Sequence, residues 1–126
     1  MAGRKKSPTL TEAEQRLMEV LWETGTASVG EVAGALPKRR ALAYNTVLTT
    51  LRILEQKGYV RHEKQGRAFV YRPVVGREQA RRGAVRHLLN RFFHNSPGQL
   101  VLNILEHEKI DPRELDRLKK LIEESK

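Results

Sequence analysis

At 126 residues the chain can bury one modest core, or one small domain plus an oligomerisation segment. Its 24 Lys and Arg against 15 Asp and Glu give a formal charge of +9, an excess that favours polyanions, either nucleic acid or an anionic membrane surface. Cysteine is absent, which excludes disulfides, thiolate metal sites and cysteine nucleophiles and is compatible with a cytoplasmic location; no apolar run approaches the roughly 20 residues of a spanning helix, so membrane insertion is not expected.

The N-terminal MAGRKKSP is charged but has no apolar stretch after it, so residues 1–9 read as a basic flexible tail and not as a signal peptide. Thr11-Glu12-Ala13-Glu14 has the form of a capping box. Ala13, Leu17, Val20 and Leu21 then share one face of a first helix that ends near Thr24-Gly25. Ser28-Val29-Gly30-Glu31 repeats the capping form, and Val29, Val32, Ala33 and Leu36 predict a short second helix stopped by Pro37. Lys38-Arg39-Arg40 is a basic turn. In the third helix Val47, Leu51 and Leu54 (i, i+4, i+7) face inward, and Gly58 supplies the left-handed exit.

Tyr59–Glu63 and Ala68–Arg72 carry β-branched and aromatic residues around a Gln65-Gly66 turn, and Pro73 ends this hairpin because it cannot donate to a ladder. Val74-Val75-Gly76 reads as a hinge. Beyond it Val85, Leu88, Leu89 and Phe92 mark a further helix, with Arg77, Arg81, Arg82, Arg86 and Arg91 mostly elsewhere on its circumference. Asn95-Ser96-Pro97-Gly98 breaks the chain before a short apolar helix bearing Leu100, Val101, Leu102, Ile104 and Leu105. Asp111-Pro112 opens the last helix, whose apolar face is Leu115, Leu118, Leu121 and Ile122.

The expected fold is mainly α with a small β-hairpin: a winged helix-turn-helix over residues 1–75 and a helical homodimerisation arm over 76–126. The distal helices have narrow apolar stripes that cannot close a private core in about 50 residues, so either a second copy of the segment or the first domain must cover them. Residues 1–75 hold 13 basic and 7 acidic groups, 76–95 hold 5 and 1, and 96–126 hold 6 and 7. A polyanion should therefore meet the N-terminal half.

In a winged helix the leading turn of the third helix enters the major groove. With Val47, Leu51 and Leu54 inward, Asn45, Thr46, Thr49 and Arg52 are available to DNA: Asn pairs bidentately with adenine, and the Thr46 methyl packs on a thymine methyl. Arg52 suits a phosphate, and Tyr44 the sugar-phosphate edge. Leu48 is either shallow core or a thymine-methyl contact, and Asn45 and Thr46 can equally serve as an N-terminal cap. Arg39, Arg40, Lys64 and Arg67 add cations around this helix and at the wing tip. The four histidines, His62, His87, His94 and His107, are scattered with no HxxxH pair and read as surface or interface residues. No metal, cofactor or catalytic constellation is expected, so the chain is not read as an enzyme.

From Leu10 to about Lys120 the sequence resembles the penicillinase-repressor family. Leu10-Thr11-Glu12-Ala13-Glu14, Ala43-Tyr44-Asn45-Thr46-Val47, Leu54-Glu55-Gln56-Lys57-Gly58-Tyr59-Val60 and Leu100-Val101-Leu102-Asn103 carry the resemblance. It implies a dimeric winged-helix repressor on an inverted-repeat operator of the TACA/TGTA kind, with base contacts at the positions of Asn45 and Thr46. It also implies a helical dimerisation tail, for which the apolar stripes of the arm offer Leu88, Leu89, Phe92, Leu100, Val101, Ile104, Leu105, Leu115, Leu118, Leu121 and Ile122. In β-lactam-responsive members a membrane sensor protease cuts the arm at the position matching Asn103–Ile104; those members have Phe where this chain has Ile104, and Asn103 can equally be a polar position between two apolar stripes. A copper-responsive branch senses metal through cysteine pairs, which this chain lacks. A non-specific architectural DNA binder and a winged-helix protein-interaction module are the competing readings. The first accounts for the charge without the polar reading edge; the second leaves the positive half unused.

Overall fold

A computed structural model describes residues 9–125; the basic tail expected over residues 1–9 lies, apart from Thr9, outside the described residues. The first helix, α1 (Glu12–Thr24), opens on the anticipated capping box: the Glu14 amide donates to the Thr11 hydroxyl at 3.2 Å, and the Thr11 amide donates to the Glu14 carboxylate at 2.9 Å. A two-residue strand, β1 (Ala27–Ser28), precedes α2 (Val29–Ala35), whose cap is Ser28, paired reciprocally with Glu31. Two hydrogen bonds from Ser28 hold the Glu31 carboxyl below the usual glutamate range. Lys38–Arg40 forms one 3₁₀ turn before α3 (Tyr44–Gln56).

Helix α3 leaves through Gly58, at φ +87°, where a side chain would be strained. The hairpin follows as β2 (Val60–Gln65) and β3 (Ala68–Pro73), antiparallel from Val60 opposite Pro73 to Gln65 opposite Ala68. Its turn is centred on Gly66-Arg67, one residue later than the Gln65-Gly66 expectation. Gly66 has φ +62°, the sign a type II′ turn demands at its first central position. The sequence reading missed β1. Ala27 and Ser28 pair with Tyr71 and Val70, making a three-stranded sheet ordered β1-β3-β2.

The core sits between α1, α2, α3 and this sheet. Leu17, Met18, Leu21, Val32, Val47, Leu51 and Leu54 are fully buried, and Val60 and Tyr71 close it from the hairpin. Each such side chain contributes on the order of 1.5–3 kcal/mol of burial. One charged pair lies inside: Lys57 Nζ is 2.7 Å from Glu14 Oε1, both side chains about 5% exposed, and donates as well to the Thr9 carbonyl at 3.1 Å. The segment read as a hinge is tied down. The amides of Val74 and Val75 donate to the Tyr59 carbonyl at 2.9 and 3.3 Å, and Trp22 Nε1 donates to the Val75 carbonyl at 2.9 Å.

The chain divides into two compact units, Met1–His87 and Leu88–Lys126. The division falls later than the 75/76 boundary expected from sequence because α4 (Arg77–Phe92) starts on the first unit. There Ala80 packs on the core, and Arg77 pairs with Glu19 at 2.7 Å and covers the Trp22 ring at 5.3 Å. The second unit holds the end of α4, then α5 (Pro97–His107), capped by Ser96, and α6 (Pro112–Glu124), capped by Asp111 with Pro112 at its first position. None of the residues of α5 and α6 is buried.

The internal ion pair generates a double-mutant test. Lys57→Met strands the Glu14 carboxylate and should cost about 3 kcal/mol of unfolding free energy, whereas Glu14→Leu with Lys57→Met should recover most of it. Additive losses in urea melts would mean the pair is not coupled. Burial, with a contribution from Glu14 at Tyr59 and chiefly from Glu55 at Tyr71, pushes both phenols above the usual tyrosine value. The fold therefore keeps these protons after the unfolded chain has lost them. Stability should be intact below about pH 10 and fall as pH rises beyond it, and Tyr71→Phe should reduce that alkaline loss in urea melts repeated across pH.

Candidate nucleic-acid interface

The stripe that anchors α3 decides what α3 presents. Val47, Thr50, Leu51 and Leu54 are buried, and the Thr50 hydroxyl is accommodated there by donating to the Thr46 carbonyl at 2.7 Å. With about 3.6 residues per turn, the side chains opposite that stripe are Asn45, Thr49, Arg52 and Gln56, all exposed. Thr46 is exposed on one flank of this line. Tyr44, 55% exposed, lies on the other, together with Leu48 and Glu55.

The helix N-terminus settles the role of Asn45 and Thr46. Ala43 occupies the cap position and no side chain bonds the free amides, so neither residue is the cap. Both side chains are without hydrogen-bond partners among the described residues. The Thr49 hydroxyl donates to the Asn45 carbonyl at 2.9 Å, which orients its methyl and leaves its lone pairs available. Leu48 is half-buried against the core and is shallow packing.

Cations border the line on two sides. Arg39 and Arg40 stand in the 3₁₀ turn before α3, both exposed. Arg40 reaches Glu12 at 3.4 Å, and Glu12 also holds Arg16 at 3.0 Å; exposed pairs of this kind are worth little and release easily. On the hairpin Lys64 lies in β2 opposite Phe69, and Arg67 occupies the turn itself. Arg39, Arg52, Lys64 and Arg67 make no ion pair among the described residues.

The wing is joined to α3 by a cluster that sequence reasoning did not identify. His62, in β2, places Nδ1 at 2.7 and 2.9 Å from the two Glu55 oxygens. Its ring meets Phe69 edge-on at 5.3 Å and Tyr71 at 5.4 Å. Tyr71 is buried beneath α3, where Glu55 reinforces and Arg52 opposes the upward push of burial on its phenol. Gln56 was missed as well, although its spacing of eleven from Asn45 could have placed it on the same line. For His62 and Glu55 the only available signal was seven residues of separation across the Gly58 turn.

The candidate dimerisation residues belong to α4, α5 and α6. Leu88, Phe92, Val101, Ile104, Leu105, Leu121 and Ile122 are exposed, Phe92 by 64%, and Leu89, Leu100, Leu115 and Leu118 are half-buried. Asn103 and Ile104 lie inside α5, with the Asn103 carbonyl accepting from His107 Nδ1 at 2.9 Å. No helix among the described residues is long and apolar enough to cross a membrane.

Comparison with known proteins agrees with this geometry. A family model described as penicillinase repressor matches residues 10–124. The penicillinase repressor of Bacillus licheniformis is 33% identical over 122 residues, covering 97% of this chain and 95% of that protein. The transcriptional regulator BlaI of Mycobacterium tuberculosis is 32% identical over 120 residues, covering 94% and 86%. The solution structure of the DNA-binding domain of the repressor BlaI is similar with a TM-score of 0.52 at 34% identity, over 60% of this chain and 93% of that one. The protein is thus a DNA-binding transcriptional repressor built on a winged helix, and the chain belongs to the penicillinase repressor family.

Proposed function

We propose that the protein represses transcription as a homodimer on an inverted-repeat operator in double-stranded DNA, each protomer reading one half-site with α3. The observation that carries this reading is the exposed polar line of α3, held outward by a buried stripe. Asn45 and Thr46 at its leading turn read base edges, followed by Thr49. Tyr44, Arg39, Arg40, Arg52, Lys64 and Arg67 hold phosphate and sugar and fix the register. A non-specific architectural binder would need the cations alone, and a protein-interaction module would not need them.

Dimerisation rests on the second unit. Eight of the twelve exposed large hydrophobic side chains among the described residues belong to it, and its two complete helices bury none of their residues. Such an apolar surface on a small unit calls for a cover, and a second copy meets its own stripe under two-fold symmetry. Derepression by a membrane sensor protease at Asn103–Ile104 would require α5 to unwind locally, because a protease binds its substrate extended and this bond is helical.

Footprinting on DNA upstream of the protein's own gene tests the reading directly. Two protected half-sites should lie on one face of the duplex, about one helical turn or more apart. Asn45→Ala and Thr46→Ala should each weaken operator binding by about 1–3 kcal/mol while leaving random duplex almost unaffected; equal losses on both duplexes would remove these residues from base reading. Truncation after Asn103 should leave a folded first unit that sediments as a monomer. Dimers that persist after truncation would move the interface away from α5 and α6.

A further inference from the structure

We infer that His62 is a phosphate ligand for the DNA backbone, acting as an imidazolium that Glu55 holds in place; this rests on the DNA-binding reading of α3 and the wing. The carboxylate of Glu55 can only accept, so the short contacts at 2.7 and 2.9 Å require His62 Nδ1 to carry a proton and donate it. The second ring nitrogen, Nε2, makes no hydrogen bond among the described residues, and the His62 side chain is 41% exposed. Phe69 and Tyr71 fix the ring plane from β3, so one nitrogen is committed to Glu55 and the other is available to a ligand.

The surroundings specify an anion. Lys64 lies two residues on in β2, on the same face as His62, and Arg52 stands on the exposed line of α3 close to Tyr71. The ring itself meets Glu55 from α3 and Phe69 and Tyr71 from β3; Arg52 and Tyr44 from α3 act on the adjoining Tyr71 phenol, and Lys64 follows on the same face of β2. Glu55 is the only carboxylate on α3. Left alone, half-exposed on the helix that meets the duplex, it would repel phosphate. A neutral ring does not remedy this, because its Nε2 lone pair also faces the phosphate oxygens with negative charge. With a proton on each nitrogen the ring cancels Glu55 and offers Nε2–H as a charge-assisted donor.

Two measurements on the full-length protein test this, with its upstream operator duplex and a random duplex of equal length as probes. His62→Gln should weaken binding about tenfold on both duplexes, because a phosphate contact carries no sequence information. The slope of log affinity against log salt should become shallower by about 0.9 per protomer. In wild-type protein with 15N-labelled histidine bound to the operator, both ring nitrogens of His62 should report as protonated. An unprotonated Nε2 in the complex overturns the assignment, and so does a loss of affinity at unchanged salt slope, which would reduce His62 to a strut between wing and helix. These outcomes are distinct from failure of the DNA reading itself: there the wild-type protein would show no salt-dependent binding to either duplex.

Discussion

The rotational setting of α3 is the constraint on which the interface depends. Val47, Leu51 and Leu54 are fully buried at i, i+4 and i+7, and turning the helix by one position would exchange two of the three for polar residues, at a cost of several kcal/mol. Thr50 belongs to the same stripe only because its hydroxyl is satisfied within the helix. The polar line of Asn45, Thr49, Arg52 and Gln56 is the complement of this burial. The positions offered to a nucleic acid are therefore chosen by the packing behind them.

The C-terminal end of α3 is secured by contacts distant in sequence. Lys57, at the C-terminal cap, is bound inside the fold to Glu14, the residue that also closes the capping box of α1. Charges desolvated this way stabilise weakly as a pair but penalise separation heavily, so the start of α1 and the end of α3 are held in one arrangement. The hairpin leaves α3 at Gly58, and its return strand is anchored at the Tyr59 carbonyl by Val74 and Val75. Glu55, His62 and Tyr71 then fasten the base of the wing to the last turn of the helix, whereas Arg67 at the tip is free of such ties.

Local physics made much of this legible in the sequence. The capping boxes at Thr11 and Ser28, the stop at Gly58 and the Asp111-Pro112 start each need only neighbouring residues, and each formed as its pattern implied. The buried face of α3 followed from periodicity alone. What escaped were contacts made across the chain. β1 is two residues long, too short for alternation to register, and exists because Tyr71 and Val70 offer it an edge. Glu14 read only as the capping-box partner of Thr11, since nothing local announces Lys57. His62 read as an unremarkable surface histidine, because its partner lies on another element. In the second unit the helices were legible from their apolar stripes, but a stripe does not name the surface that covers it.

Ser28 has one further consequence. It pairs with Val70 as the last residue of β1 and accepts from the Glu31 amide as the cap of α2. No linker separates strand from helix at this point. An inserted residue would break either the sheet register or the cap, and a deletion would remove both. Length variation is thus forbidden on this side of the sheet, while the turn at Gly66-Arg67 makes no tertiary commitment that fixes its length. Related repressors can be expected to diverge in loop length at the wing tip and to hold the chain from Ala27 to Glu31 without gaps.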